Sequence, residues 1–107
     1  KRWILGSLKP VGKLILDAGA LTALTNGKSL LPAGVHDVEG DFERGDTVML
    51  CGPDGSDLGR GLCAYSSKDA RRIMGHKSGE IEELLGYRGR DEVVHRDDLA
   101  LNDQTVS

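Results

Sequence analysis

Aromatic side chains and long apolar runs are scarce in this sequence. Its 107 residues include one Trp, one Phe and two Tyr, namely Trp3, Phe42, Tyr65 and Tyr87. A hydrophobic core must therefore be built almost entirely from aliphatic side chains. No apolar run approaches the ~20 residues that a membrane-spanning helix needs. We accordingly expect a single globular domain with no membrane partner, the size that a chain of this length allows.

Recognisable metal-binding patterns are also absent. Cys51 and Cys63 are the only cysteines, and they form no CxxC pair. His36, His76 and His95 have no ligand spacing to one another or to the cysteines. We expect no metal site and two reduced thiols, although a disulfide between neighbouring strands is geometrically allowed.

Phosphate-binding motifs are missing or out of place. Residues 27–29 supply only the last three letters of a GxxxxGK[ST] loop, without the glycine-rich part before them. Residues 59–64 match G-x-G-x-x-A, but the match lies among hairpins instead of between a strand and a helix. We interpret Gly59 and Gly61 as glycines that let a strand bend. We expect no catalytic residue and no cofactor-binding residue in this chain.

The charge balance argues against a dedicated nucleic-acid-binding protein. The net charge is −3 and the isoelectric point about 5.5, whereas such proteins usually carry a basic excess. One local basic cluster is the best binding candidate, for phosphates or for an acidic protein surface. The alternative is an ordinary solvated helix face. No aromatic residue is interleaved with these basic residues, which are Lys68, Arg71, Arg72, His76 and Lys77.

Short strands separated by turn residues dominate the pattern. Pro53-Asp54-Gly55, between two apolar runs, is a strong hairpin signal. The glycine content, 15 residues, also favours many turns over long helices. The predicted strands cover residues 13–16, 29–31, 35–39, 47–51, 58–65 and 92–95.

Three short helices are predicted from capping residues and apolar spacing. Asp17 is an N-cap for a helix that ends at Asn26-Gly27. Ser67 is expected to cap a helix over residues 68–74. Ser78 is expected to cap one over residues 79–85, with Ile81, Leu84 and Leu85 facing inward and Gly86 ending it.

Two segments near the end of the chain have distinctive amino-acid sequences. They are Gly75-His-Lys-Ser-Gly-Glu-Ile-Glu-Glu-Leu-Leu-Gly-Tyr87 and His95-Arg-Asp-Asp-Leu99. Together with Ser29-Leu-Leu-Pro-Ala-Gly-Val35, Gly45-Asp46, Gly59-Arg-Gly61 and Tyr65-Ser-Ser67, they resemble the PUA domain of bacterial glutamate 5-kinases. The resemblance implies a mainly β fold with short helices, a PUA-like pseudobarrel.

The same resemblance implies a domain organisation. Arg2-Trp-Ile4 resembles the end of that family's amino-acid-kinase domain. Residues 1–13 would then be the end of a missing kinase domain plus a linker, in which Trp3 lies outside the barrel core. Residues 14–101 would be the PUA domain and residues 102–107 a flexible tail.

The function implied by the resemblance is accessory and non-catalytic, most naturally regulatory. In that family the kinase domain uses ATP and magnesium to phosphorylate L-glutamate, the first step of proline biosynthesis. The family also implies a cytoplasmic homo-oligomer that is inhibited by proline. Its own kinase domain would be the partner of this chain, which alone would be inactive. An RNA-binding PUA module is the alternative, with weak RNA binding through the basic cluster, and a purely structural domain is a third interpretation.

Overall fold

A five-stranded mixed sheet forms the centre of the computed structural model, which describes residues 9–102. The strands run in the order β2-β1-β3-β4-β5 across the sheet. β1 pairs with β3 in parallel, and the other pairs are antiparallel. The predicted mainly β class with short helices is confirmed. The strands are β1 (Gly12–Leu16), β2 (Val35–Gly40), β3 (Thr47–Cys51), β4 (Asp57–Leu62) and β5 (Leu99–Leu101).

Within residues 9–102, three α-helices and three 3-10 turns connect and flank the strands. The helices are α1 (Ala18–Thr25), α2 (Ser67–Ile73) and α3 (Ile81–Leu85). The 3-10 turns cover Pro32–Gly34, Ser78–Glu80 and Arg96–Asp98. Asp17 caps α1 as predicted, because its carboxylate accepts a hydrogen bond from the Ala20 amide at 2.7 Å.

The predicted caps of the two later helices are wrong. Ser66, not Ser67, caps α2 by accepting a hydrogen bond from the Asp69 amide at 3.3 Å. Ser67 is buried, and its hydroxyl accepts from the Phe42 amide at 3.2 Å. The Ser78 hydroxyl donates to the Asp91 carbonyl at 3.0 Å and caps nothing. Each serine hydroxyl therefore forms its hydrogen bond with a residue distant in the sequence and not with a nearby amide of its own helix.

Two predicted strands are not formed as strands and contribute only one isolated β-bridge. Residues 29–31 and 92–95 meet only through the antiparallel bridge between Leu30 and Val94. The fifth strand, β5, was not predicted and pairs with β4. At three residues it is too short to show an alternating pattern. β4 also ends at Leu62, before the predicted end of its strand.

The core is mostly aliphatic, as the scarcity of aromatic residues requires, although two aromatic side chains are buried in it. Leu14 and Leu50, from the parallel pair β1 and β3, are fully buried, and Ile73 of α2 packs in the same cluster. In α3 only Ile81 is buried, whereas Leu84 and Leu85 are half-buried at the margin of the core. The predicted inward face of α3 therefore does face the core, but two of its three residues are less buried than expected.

The predicted hairpin at residues 53–55 is confirmed. It joins β3 to β4, with the Gly52 amide donating to the Ser56 carbonyl at 2.9 Å.

Gly59 of β4 permits close contact between β4 and β5. A side-chain carbon at Gly59 would collide with the Ala100 carbonyl oxygen of β5. The G-x-G-x-x-A match thus begins within a strand and serves the sheet, in agreement with the structural interpretation of these glycines.

Candidate functional site

The predicted basic cluster lies on the outer face of α2 and on the turn that follows it. Its five members, Lys68, Arg71, Arg72, His76 and Lys77, are all exposed. The first three belong to α2, and Lys77 immediately precedes the 3-10 turn Ser78–Glu80. We call these five residues the basic surface.

Two members of the basic surface are engaged within the chain. Arg71 donates from Nη2 to the Gly40 carbonyl at 2.6 Å, which ties α2 to the end of β2. His76 Nδ1 lies 2.9 Å from Glu80 Oε1. Among residues 9–102, no hydrogen bond or ion pair engages the side chains of Lys68, Arg72 or Lys77. These three cations are the part of the surface that is available to a partner.

A cleft beside the basic surface was missed by the sequence reasoning. It has a volume of about 510 Å³ and lies between the start of α2 and residues 87–90. Its lining combines two tyrosines, three arginines and two acids: Tyr65, Tyr87, Arg44, Arg88, Arg90, Glu43 and Asp69. None of the five residues of the basic surface lines this cleft, so its tyrosines accompany a different set of cations.

Two tyrosine hydroxyl groups fix the loop that forms one wall of this cleft. Tyr87 donates to the Asp69 carboxylate of α2 at 2.6 Å, and Tyr65 donates to the Arg90 carbonyl. Gly89 passes so close to the Tyr65 ring that a side-chain carbon there would collide with it. The loop is thus held against α2 and against the core at neighbouring positions.

The tyrosine titrations reflect the same contacts. Partial burial of its hydroxyl group, followed by the hydrogen bond to Asp69, raises the pKa of Tyr87 to about 12. Burial also raises the pKa of Tyr65, and nearby acids, Asp91 first, add to this effect. Arg44, which lines the same cleft, acts in the opposite direction on the pKa of both hydroxyl groups.

A signal for the cleft exists in the sequence but is weak. Tyr87 is followed by Arg88-Gly-Arg90, so one short segment carries an aromatic ring and two cations. Tyr65 and Arg44 come from distant parts of the chain. Their arrival at the same place depends on how α2 and the loop pack against the sheet.

Both cysteines are free and buried. Burial raises the pKa of Cys63 to about 11 and also raises that of Cys51. Because the thiolate is the nucleophile and the metal ligand, burial and a raised pKa both disfavour reaction at these thiols. Within residues 9–102 no group of three or more His, Cys, Asp or Glu side chains could hold a metal ion. No helix in that range is long and apolar enough to cross a membrane.

Comparison with known proteins links the chain to one domain family and one enzyme. The family model described as the PUA domain matches residues 12–85. Glutamate 5-kinase of Paramagnetospirillum magneticum is 62% identical over 101 residues, which cover 94% of this chain and 27% of the relative. Glutamate 5-kinase of Allorhizobium ampelinum is 58% identical over 105 residues, 98% of this chain and 27% of the relative. The chain thus spans about a quarter of the length of these curated relatives.

Solved structures share the fold at low sequence identity. A PUA domain from Aeropyrum pernix K1, solved as a tartrate complex, has a TM-score of 0.63 at 24% identity and covers 90% of this chain and 46% of its own. A conserved PUA domain protein from Thermoplasma acidophilum has a TM-score of 0.58 at 13% identity, covering 99% of this chain and 60% of its own. An archaeal box H/ACA sRNP Nop10-Cbf5 complex gives 0.54 at 14% identity, covering 87% of this chain and 24% of that one. At these identities the likeness supports the fold alone.

Proposed function

Since the chain belongs to the PUA domain family, we propose that it is the accessory, non-catalytic domain of a glutamate 5-kinase. The observation that carries the proposal is the 62% identity to a glutamate 5-kinase over 94% of this chain. Because the match covers only 27% of that relative, the catalytic apparatus would lie in the remaining length. The chain alone would be inactive.

In this proposal the whole protein transfers the γ-phosphoryl group of ATP to L-glutamate, with magnesium, in the cytoplasm. Residues 1–13 would lead from the kinase domain into the PUA domain at residues 14–101, with 102–107 as a tail. The kinase domain would bind ATP and magnesium and carry the homo-oligomer contacts. The described residues contain no carboxylate cluster suited to magnesium, so we assign no step of phosphoryl transfer to them.

The role proposed for the chain is regulation of that kinase domain. The exposed cations Lys68, Arg72 and Lys77 have no ion-pair partner in the described part of the chain, and they could meet an acidic patch of the kinase domain. Such a contact would depend on salt, because exposed charges are screened at high ionic strength. It would influence the response to proline without contributing a reacting group.

Charge reversal in the full-length enzyme tests this role. Lys68→Glu with Arg72→Glu leaves Arg71, and hence its bond to Gly40, intact. Lys28→Glu with Arg96→Glu is the matched control, since both residues are exposed and belong neither to α2 nor to the basic surface. We expect the first pair to alter proline inhibition and the control pair to leave it unchanged. Normal inhibition in both pairs would contradict the regulatory contact.

Removal of the domain provides a second test. An enzyme that ends before Leu14 should retain glutamate phosphorylation but respond differently to proline. The purified 107-residue chain should form no glutamyl phosphate above a control without protein. Activity in the isolated chain, or unaltered regulation in the truncated enzyme, would overturn the proposal.

An RNA-binding module is the second candidate function, favoured by the unpaired cations of α2 and by the exposed ring of Tyr87. Because the net charge is −3, any affinity must come from this local surface. With three or four phosphate contacts, the log–log salt dependence should have a slope of roughly −2 to −4. If the Lys68→Glu, Arg72→Glu pair abolished RNA binding but left proline inhibition normal, the RNA module would be preferred.

A further inference from the structure

We propose that the cleft between α2 and residues 87–90 binds a nucleotide. Arginine side chains would hold the phosphate group, and the Tyr87 ring would stack on the base. This site is separate from the basic surface, and its ligand would bind whether or not the chain regulates a kinase. The proposal rests on the size of the cleft, on its charges and on the fixed position of its loop.

The size and the aromatic surface suit a ligand of this kind. A volume of about 510 Å³ lies within the range of small-ligand sites, which is about 300–1,000 Å³. The Tyr65 ring is 3% exposed and can serve only as floor, whereas Tyr87 is 46% exposed and presents a ring to solvent. Stacking on an exposed aromatic ring tolerates any base, because every base has a π-face.

The charges of the cleft favour an anion. Three arginines and two acids line it, and one of the acids, Asp69, already accepts the Tyr87 hydroxyl at 2.6 Å. In the described part of the chain, Arg44 and Arg88 form no ion pair, and Arg90 meets Glu92 only at 3.9 Å. Arginine is suited to phosphate, because its planar fork can donate two parallel hydrogen bonds.

The loop that carries Arg88 is already fixed. The Tyr87 hydroxyl anchors it on one side of Arg88, and the Arg90 carbonyl, bound by Tyr65, anchors it on the other. Gly89, between Arg88 and Arg90, lies against the Tyr65 ring. Binding would therefore not require the loop backbone to become ordered, and this lowers the entropic cost of holding a ligand. By contrast, no hydrogen bond within the described residues holds the side chains of Lys68 and Lys77 in place.

Calorimetric titration of the full chain tests the site, with AMP, adenosine and inorganic phosphate as probes at low salt. AMP should bind with saturation and about tenfold more tightly than either adenosine or phosphate, because it uses both halves of the cleft. Arg44→Ala with Arg88→Ala should weaken AMP binding at least about tenfold. Tyr87→Ala should weaken it by a similar factor, whereas Tyr87→Phe, which keeps the ring but loses the hydrogen bond to Asp69, should weaken it less.

Matched controls separate loss of the site from loss of the fold. Arg72→Ala and Arg96→Ala remove exposed arginines outside the cleft and should leave the affinity for AMP unchanged. The thermal unfolding midpoint of each variant shows whether it folds. A folded Arg44→Ala, Arg88→Ala variant that binds AMP as tightly as the parent chain would overturn the proposal. So would the absence of saturable AMP binding up to about 10 mM.

Binding of a short oligonucleotide shows whether the cleft takes a free nucleotide or a nucleotide that belongs to a strand. If a tetranucleotide binds more tightly than AMP, and the Arg44→Ala, Arg88→Ala change weakens both, the cleft takes a nucleotide of a strand. Equal affinities, weakened together, assign it to a free nucleotide. Oligonucleotide binding that depends on Arg72 and not on Arg44 or Arg88 would place nucleic acid on the basic surface and reject the cleft.

Discussion

The Tyr87 hydroxyl donates a hydrogen bond of 2.6 Å to the carboxylate of Asp69, 18 residues earlier in the chain. This bond joins the loop after α3 to the first turn of α2. It fixes an aromatic ring beside a cleft that also contains three arginines. The effect of the bond on stability and on titration can be measured directly.

Removal of this hydrogen bond should cost a modest amount of stability. Tyr87→Phe should lower the free energy of unfolding by about 1 kcal/mol, since a partly exposed hydrogen bond to a charged group has a limited net value. Asp69→Ala should cost more, because it removes the acceptor and also an acid from the first turn of α2. A double-mutant cycle of the two changes, measured by urea unfolding, isolates the pair. A coupling energy indistinguishable from zero would contradict the bond.

Stability should fall in alkaline solution. The pKa of folded Tyr87 is about 12, whereas a tyrosine of the unfolded chain titrates near 10. The folded state therefore retains a proton that the unfolded state releases. This stabilisation is complete below about pH 10 and is lost as the pH rises through about 12. Tyr65 and Cys63, whose pKa values burial also raises, act in the same direction.

Urea midpoints measured from pH 8 to about pH 12 test this expectation. Tyr87→Phe should show a shallower decline than the parent chain, because it lacks one of the groups that titrate. Parallel declines in the two proteins would mean that Tyr87 has its ordinary pKa in the folded state.

The packing of α3 should be energetically uneven. Ile81→Ala should cost about 2–5 kcal/mol, since Ile81 is buried. Leu84→Ala should cost less than about 2 kcal/mol, because Leu84 is already half-buried. Glu83→Ala, on the exposed face, should change stability by no more than about 0.5 kcal/mol. Urea unfolding of the three variants tests this ranking, and a Leu84 effect as large as that of Ile81 would disprove it.

A methyl group at Gly59 should disturb the pairing of β4 with β5. Gly59→Ala should cost about 1–3 kcal/mol or more, since the new carbon would meet the Ala100 carbonyl and neither backbone can easily move. Gly79→Ala is the control, because no neighbouring atom lies within 4 Å of its added carbon. Thermal unfolding should separate the two variants clearly. Equal midpoints would show that β5 can shift away from β4 without loss.

Signals contained within a few residues were enough to predict several elements. Asp17 caps α1 as expected, and Gly86 ends α3 with a φ of +82°. The hairpin at residues 53–55 also forms where its turn residues indicate. Each of these signals depends on backbone dihedral angles and on hydrogen bonds between near neighbours, so the rest of the fold is not needed to interpret it.

Local patterns and distinctive segments were thus enough to predict the mainly β class, most element positions, the place of the basic surface on the chain and the family. The three-dimensional packing was needed to show that Ser67 bonds to Phe42, that β5 pairs with β4, and that two tyrosines and three arginines line one cleft. The Tyr65–Arg90 contact spans 25 residues, and such contacts form only when the packing of a shared core brings distant segments together. A sequence pattern of period 2 or 3.6 records which face of an element is buried, but not which distant residue it will face.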